Sequence, residues 1–207
     1  MLKRTKGRLL ITLLVVTGLA GTINNTSISQ QERKYAVSLL KDSKSNLLED
    51  VEKLSDKQLN YKSAQTQVSI KNCLIQAAIT EKKLWQLVAS AMQQPANPEK
   101  RADIKLTDNE LVEMVESGKI VTLSTNTFKQ ANSPWKTVTE ANASFKSLRN
   151  EHIKYMKSST EDLRNHIILA PAGWLDCYQV ILLISASANH SAGLIENIKS
   201  DLHFPKR

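Results

Sequence analysis

The chain is poor in the residues that interrupt or cross-link a fold. Its 207 residues include six glycines, five prolines and two cysteines, and aromatic residues make up 5%. So few chain breakers argue against many short strands and turns, and they favour long helices. With 41% hydrophobic and 23% charged residues, the composition is that of one globular domain around a single core.

The two cysteines, Cys73 and Cys177, lie far apart and form no C-x-x-C pair, which argues against zinc-knuckle and thioredoxin-type motifs. Both fall in apolar stretches with helical periodicity, where cysteine packs as a small hydrophobic residue. We therefore expect two free, buried thiols. A disulfide between them is the alternative that an oxidising compartment would permit.

The start of the chain has the pattern of an export signal. A basic MLKRTKGR precedes the apolar run 9–21, and Gly18 and Ala20 are small residues placed as a signal peptidase requires. We predict that residues 1–20 are cleaved near Ala20 and that the protein is exported to the periplasm or the exterior of a bacterium. A retained anchor is the alternative, but the apolar run is shorter than the roughly 20 residues that span a bilayer.

Positive charge is modest once this signal is removed. Residues 1–20 carry Lys3, Arg4, Lys6 and Arg8 and no acid, so cleavage lowers the formal charge from +8 to +4. The remaining lysines alternate with acids, as in KDSKSNLLEDVEKLSDK. Such mixed charge is typical of solvated helix faces, and it gives no support to nucleic-acid binding.

Hydrophobic periodicity predicts four long helices. The first begins with a capping box of Ser29 and Glu32, and the second is capped by Ser69. The third is predicted to begin with Ser133 as N-cap and Pro134 at the first helical position, and the fourth to follow APAG at 170–173. The expected inward positions are, helix by helix, Ala36, Leu40, Ser43, Leu47, Val51 and Leu54; Ile70, Leu74, Ala77, Glu81, Leu84 and Val88; Trp135, Val138, Phe145, Leu148, His152 and Met156; and Trp174, Cys177, Ile181, Ile184, Ala188, Ile195 and Ile198.

Four amphipathic helices of this length bury their apolar stripes best against one another. The sequence therefore predicts an all-α four-helix bundle, as a single domain over 29–202. The long connection between the second and third helices contains a short helix, with Thr107 and Glu110 as its capping box. A connection of that length allows a crossover instead of a simple hairpin.

Several polar residues fall on the inward faces. On a helical wheel, Ser187 and Ser191 share the face of the fourth helix that carries its isoleucines, whereas His190 falls at the boundary and is expected at the rim. Glu81 and His152 also point inward or nearly so. We expect a hydrogen bond between these two in the core, because buried polar groups require partners.

Three stretches carry a family resemblance. They are ERKYAVSLLKDSKSNLLEDVEKLSDKQLNYK, VSIKNCLIQAAITEKKLW and DLRNHIILAPAGWLDCYQVILLISASANHSAGLIENIKSDLHFP, and within them the blocks LSDKQLNYK, DLRNH and LDCYQ stand in the expected order. Together they resemble the DinB-like (DinB/YfiT) family, and its exported members most closely. The resemblance implies an up-down-down-up four-helix bundle with a metal held by three histidines.

All three histidines are replaced in this chain. Ungapped superposition of the family's motifs places Gln76, Ser187 and Ser191 at the ligand positions, and Val68 and Ala170 replace a tryptophan and a histidine often found in the family. Neutral hydroxyls and an amide oxygen are weak ligands for a transition metal. We therefore expect no bound metal and no cofactor.

The favoured function is that of an exported binding or interaction protein without catalytic residues. Its small polar ligand would lie in a pocket around Gln76, Ser187 and Ser191. Two alternatives stay open: a metal-dependent hydrolase or thiol transferase of the DinB-like family with a rebuilt site, and a purely structural bundle. Related bundles often pair through helix faces, so a homodimer is also open.

Overall fold

The computed structural model describes residues 28–49, 51, 53–63, 67–120 and 133–206. The predicted export signal, residues 1–20, lies outside them. The elements are α1 Gln30–Leu48, α2 Asp56–Asn60, α3 Ile70–Ala91, a 3₁₀ helix Pro98–Asp103, α4 Asp108–Glu116, α5 Val138–Ser158, β1 Ile167–Ala170, β2 Gly173–Asp176 and α6 Cys177–Lys199. The protein is thus mostly helical, with its helices packed against one another. Within the described ranges, no helix combines the length and the apolar character needed to cross a membrane.

Most of the predicted helix starts are confirmed. Ser29 forms a capping box with Glu32, and Thr107 forms one with Glu110 at the start of α4. The Ser69 hydroxyl accepts the hydrogen bond of the Asn72 amide at 3.2 Å. All six predicted inward residues of α3 are buried. These starts follow from local chemistry, because a short oxygen-bearing side chain satisfies an amide that the helix itself leaves free.

The first helix is shorter than its apolar stripe predicted. It ends at Leu48, and Val51 and Leu54 lie beyond it. The amides of Val51 and Leu54 each bond to a carbonyl three residues earlier, both at 3.3 Å. Val51 is nevertheless buried. The apolar spacing was therefore maintained by turns that periodicity alone does not distinguish from a helix.

The predicted start of the third helix is wrong. Helix α5 begins at Val138, where Thr137 and Glu140 form a capping box. The Ser133 hydroxyl instead accepts from the Trp135 amide at 3.1 Å, within a local turn. Thr137 with Glu140 satisfies two backbone amides reciprocally, and this explains why the helix begins four residues later than the Ser133 and Pro134 pattern predicted.

A small β-hairpin corrects the all-α prediction and the start of the fourth helix. Strands β1 and β2 pair antiparallel, from Ile167 opposite Asp176 to Ala170 opposite Gly173. Gly173 has a φ of 112° at the turn, a conformation that glycine adopts without a side-chain clash. Trp174 therefore lies on a strand, and α6 begins at Cys177 with Asp176 as its N-cap.

Helix α6 is the centre of the molecule. Every residue from 177 to 188 is buried, so this half of the helix is covered on all sides and not on the single broad face that the sequence predicted. Helices α1, α3 and α4 all pack on it. The short helix α4 contributes Leu111, Val112 and Val115 to the buried core. Because α4 also packs on α6, the largely apolar first half of α6 is covered on all sides.

The buried side chains form two clusters, one toward each end of the helices. One cluster joins the first half of α1, the second half of α3, the end of α5, helix α4, the hairpin and the first half of α6. The other joins the end of α1 with the first halves of α3 and α5 and the second half of α6. Cys73 belongs to the second cluster and Cys177 to the first.

The prediction of two free, buried thiols is confirmed. Burial raises the pKa of Cys73 to about 11 and that of Cys177 to about 12, so both thiols lack the thiolate that reacts at neutral pH.

We expect a thiol reagent to modify neither cysteine in the native protein, and to modify two per chain in denaturant without reductant. Protection of both in denaturant would reveal a disulfide and contradict the separation of the two clusters.

Candidate functional site

Ser187 and Ser191, which the resemblance would place at metal-ligand positions, are both buried. Each side chain is only 3% exposed. The Ser191 hydroxyl donates to the carbonyl of Ser187 at 3.0 Å, which satisfies it within its own helix. This bond to the preceding turn is the common way in which a serine is accommodated inside a helix.

Gln76 lies on α3. Gln76 is partly buried, and its backbone carbonyl accepts a hydrogen bond from the Thr80 hydroxyl at 2.8 Å. The flanking residues Ile75 and Ala77 share a core cluster with Ala188 and Ala192 of α6. The structure thus brings the helix segments that carry the three ligand-position residues into the same part of the core.

The ligand-position residues do not fit the metal that the family resemblance implies. They present an amide and two hydroxyls, and one of the hydroxyls is committed to a backbone carbonyl. Transition metals in proteins prefer imidazole and thiolate donors. Among the described residues, no group of three or more histidine, cysteine, aspartate and glutamate side chains is arranged to hold an ion.

A buried charge cluster of Glu81, Arg149 and His152 lies between α3 and α5. The Arg149 guanidinium donates to both oxygens of Glu81, at 2.9 and 2.6 Å, and Nδ1 of His152 lies 2.6 Å from the same carboxylate. A further guanidinium nitrogen donates to the Leu40 carbonyl at 3.0 Å and to the Ser43 hydroxyl at 2.5 Å. The cluster therefore connects three helices, α1, α3 and α5.

The pKa of Glu81 is lowered in this cluster although the carboxyl group is buried. Burial alone would raise its pKa, but the charge of Arg149 and the hydrogen bonds from His152 and Arg149 hold the pKa below its usual value. A bidentate arginine is the partner best able to offset the desolvation of a carboxylate. The hydrogen bond between Glu81 and His152 was expected from the sequence.

The helical periodicity of the sequence did not predict that Arg149 faces inward, and it placed Leu148 on the inward stripe instead. The structure buries Arg149 completely and leaves Leu148 partly exposed. Positions 141, 145, 149, 152 and 156 do have the spacing of one helical face. Charged residues are seldom fully buried, so the hydrophobic Leu148 was assigned to the inward face in place of its neighbour Arg149. The sequence did contain one indication of Arg149, because an inward-facing Glu81 requires a positively charged partner.

The cluster is packed too tightly to act on a substrate. His152 stacks on Trp85 with ring centroids 4.0 Å apart, and the guanidinium of Arg149 lies 4.9 Å from the centre of the Phe145 ring. Glu81 and His152 are each 1% exposed. A general base must reach the proton it removes, and this closed arrangement offers no such access. Its evident role is to join the helices.

A second arrangement of charges was also missed by sequence reasoning. Arg164 in the DLRNH block binds three carboxylates, at 2.5 Å to Glu32, 2.6 Å to Asp108 and 2.9 Å to Asp176. Its guanidinium also lies 4.1 Å from the centre of the Tyr178 ring. Arg164 and its three carboxylates line an open cleft of about 800 Å³, which we call the Arg164 cleft.

The carboxylates at Arg164 all stand at the starts of helices. Glu32 is in the first turn of α1, Asp108 in the first turn of α4, and Asp176 is the N-cap of α6. Burial raises the pKa of Asp176 although Arg164 opposes this, whereas the pKa of Glu32 is lowered because hydrogen bonds from Ser29 and Arg164 outweigh its burial. Arg164 therefore ties three helix starts to the segment before the hairpin.

His190 lies at the rim, as the helical wheel predicted. It is partly exposed, and its Nδ1 is 3.2 Å from the Glu116 carbonyl at the end of α4. A Cβ at Gly118 would stand 3.0 Å from its ring, so the ring packs closely on this glycine, whose φ is 74°. His190 therefore supports the end of α4.

Comparison of the chain with protein-family models, with curated proteins and with solved structures finds no match in any of the three.

Proposed function

We propose that this chain is an exported DinB-like bundle that acts as a binding or interaction protein without a metal and without catalysis. The observation that carries the proposal is the set of donors at Gln76, Ser187 and Ser191, which cannot replace three imidazoles. Both serines face inward, as the family's ligands would. The resemblance therefore supplies the scaffold, and the substitutions remove its chemistry.

The packing supports the proposed up-down-down-up order of α1, α3, α5 and α6. The first halves of α3 and α5 share a cluster with the second half of α6, and the start of α1 lies with the start of α6. Such sharing is expected if α1 and α6 run one way and α3 and α5 run the other. The connection through α4 between α3 and α5 is then the crossover.

A catalytic function receives less support from the same residues. A hydrolase or thiol transferase needs an activated nucleophile, a metal or an accessible base. The buried charge cluster is closed, and burial raises the pKa of both thiols well above neutrality. A rebuilt site would have to use groups other than these.

One observation favours the structural alternative over a ligand pocket at Ser187 and Ser191. Both side chains are almost fully buried, and the larger surface grooves at Arg164, Asn189 and Lys146 are lined by other residues. Under that alternative Gln76 and the two serines only satisfy one another by hydrogen bonds, and nothing binds there.

Elemental analysis of the purified exported protein tests the proposal. We expect well under one equivalent of zinc, nickel, iron or manganese per chain, because the donors at the three positions are too weak. A stoichiometric transition metal that survives dialysis against a weak chelator would contradict the proposal and favour the metalloenzyme alternative.

Restoring the family's ligands should restore metal binding. The triple variant Gln76→His, Ser187→His, Ser191→His is expected to bind one zinc or nickel ion and to gain thermal stability when the ion is added. The matched control changes the same positions to asparagine, which has comparable polarity without an imidazole. A folded triple histidine variant that binds no metal would show that these positions do not converge.

A further inference from the structure

The C-terminal tail, residues 201–206, folds back from the end of α6 onto the short helix α2 and its C-cap. The side-chain amide of Gln58 donates a hydrogen bond to the Pro205 carbonyl at 3.0 Å. The rings of Tyr61 and Phe204 meet edge to face, with their centroids 5.6 Å apart, an arrangement that aromatic pairs favour. The tail is thus bound through one aromatic ring and one backbone carbonyl.

The remaining bonds of the tail are few. The Tyr61 hydroxyl donates to the Asp201 carboxylate at the root of the tail. In the described part of the chain, the other hydrogen bonds stay within the tail or reach the end of α6, as from the Phe204 amide to the Asp201 carbonyl at 2.9 Å and from the Asp201 amide to the Ile198 carbonyl at 3.3 Å. Two side chains, Gln58 and Tyr61, therefore hold the tail on the bundle.

The orientation of Gln58 does not depend on the tail. Its side-chain oxygen accepts hydrogen bonds from the Ser55 amide at 2.9 Å and from the Ser55 hydroxyl at 3.1 Å. The oxygen of the amide group is thereby fixed toward Ser55, and its NH₂ group is directed at the Pro205 carbonyl. Gln58 is only 4% exposed, and a buried donor requires an acceptor. The site therefore requires a carbonyl at this point.

The contact is specific to one apolar residue of the tail. Phe204 is partly buried and packs with Tyr61 against the second core cluster, whereas Leu202 is 98% exposed. Pro205 fixes its own backbone and favours an extended conformation at Phe204. An aromatic residue followed by proline is therefore already close to the bound conformation, which lowers the cost of ordering it.

We propose that Gln58 and Tyr61 form a binding site for a peptide that carries an aromatic residue followed by proline, and that the tail occupies this site as a detachable strap. A ligand without a carbonyl would leave the Gln58 donor without an acceptor, and a ligand without an aromatic ring would leave Tyr61 uncovered. Another peptide binds only after the tail has left. This inference goes beyond the proposed function and does not rest on it, because neither side chain is at a metal-ligand position of the family.

Binding of the tail sequence in trans tests the proposal. The probe is a fluorescein-labelled peptide of residues 200–207, SDLHFPKR, and the full-length variant Phe204→Ala frees the site. A tail that competes at an effective concentration of about 1 mM and is bound about nine-tenths of the time corresponds to a Kd of about 0.1 mM for the free peptide. Fluorescence anisotropy should show saturable binding to Phe204→Ala near that Kd. The unmodified chain should bind the peptide about tenfold more weakly, because its own tail competes.

The matched control is Leu202→Ala, which shortens an exposed apolar side chain of the same tail. It should bind the peptide as weakly as the unmodified chain, because Phe204 still occupies the site. Adding Tyr61→Ala to Phe204→Ala should weaken the binding, since the peptide then lacks its aromatic partner. Circular dichroism verifies that the variants are folded. No saturable binding to folded Phe204→Ala up to about 1 mM peptide, or equal binding to all of these chains, would overturn the proposal.

Hydrogen exchange tests the detachment of the tail without any variant. The Phe204 amide should exchange by a local opening whose rate does not change in low concentrations of urea, whereas the buried amides of α6 should exchange through global unfolding. If the Phe204 amide exchanged only together with those of α6, the tail would not be a detachable strap and the proposal would be wrong.

Discussion

Replacing Arg149 by methionine is expected to lower the free energy of unfolding by about 3–5 kcal/mol. Methionine fills much of the same volume, so the loss comes from charge and not from a large cavity. The variant would leave Glu81 ionised in the core without the bidentate partner that binds it at 2.9 and 2.6 Å. Chemical denaturation of both proteins measures the difference.

Two further variants separate this effect from a general loss of arginine or lysine. Lys154→Met removes a positive charge from an exposed position of the same helix, and it should change the free energy of unfolding by less than about 0.5 kcal/mol. Adding Glu81→Gln to Arg149→Met should recover a large part of the loss, because the buried anion is then absent. If Arg149→Met were no more destabilising than Lys154→Met, the cluster would not contribute as described.

The same double variant reveals the pH dependence that Glu81 contributes. In the folded protein the pKa of Glu81 lies below its usual value of 4.5, so its contribution to stability is fully present above that value. It is lost as the pH falls through the lowered pKa of the folded state. As the pH is lowered from 5, the unmodified protein should therefore lose more stability than the variant that lacks the Glu81 and Arg149 charges.

Replacing Arg164 by methionine should produce the second largest loss, about 2–3 kcal/mol. It deprives Glu32, Asp108 and Asp176 of their common partner at once. The Arg164 side chain is 22% exposed, so water offsets part of the loss that a fully buried pair would suffer. Asp176 should account for most of it, since its side chain is 1% exposed.

The location of the damage distinguishes this role from a general loss of charge. Hydrogen exchange should accelerate most in the first turns of α4 and α6, because the guanidinium binds Asp108 and Asp176 there.

Arg164→Lys should retain little of the stability, because a single ammonium group cannot bind three carboxylates as the guanidinium does. Arg101→Met is the matched control: Arg101 is 47% exposed and 3.7 Å from Asp176, so its loss should stay below about 1 kcal/mol. Equal effects of the two methionine variants would contradict the role given to Arg164.

Local sequence signals located the helices well where caps and apolar spacing agree. Helix α3 starts after Ser69 and buries its predicted stripe. At α5 two competing caps were present, and the reciprocal pair of Thr137 and Glu140 prevailed over Ser133. The hairpin before α6 was not predicted, because four-residue strands give too short a pattern to separate from the start of a helix.

The partners of polar residues were harder to predict. The contact between Glu81 and His152 followed from their inward positions, whereas Arg149 was overlooked because its own helix offered a leucine beside it. Arg164 gave no periodic signal, since it lies in a connecting segment and two of its three carboxylates, Glu32 and Asp108, are far away in sequence.

By itself, the sequence determined the helical character and the capped starts of α1, α3 and α4, because these depend on residues within one turn of one another. Only the tertiary structure decided that Arg149 joins three helices and that Arg164 holds three helix starts. The physical reason is that a charge–charge contact or a groove depends on distances in space, and residues widely separated along the chain set those distances only when the helices pack.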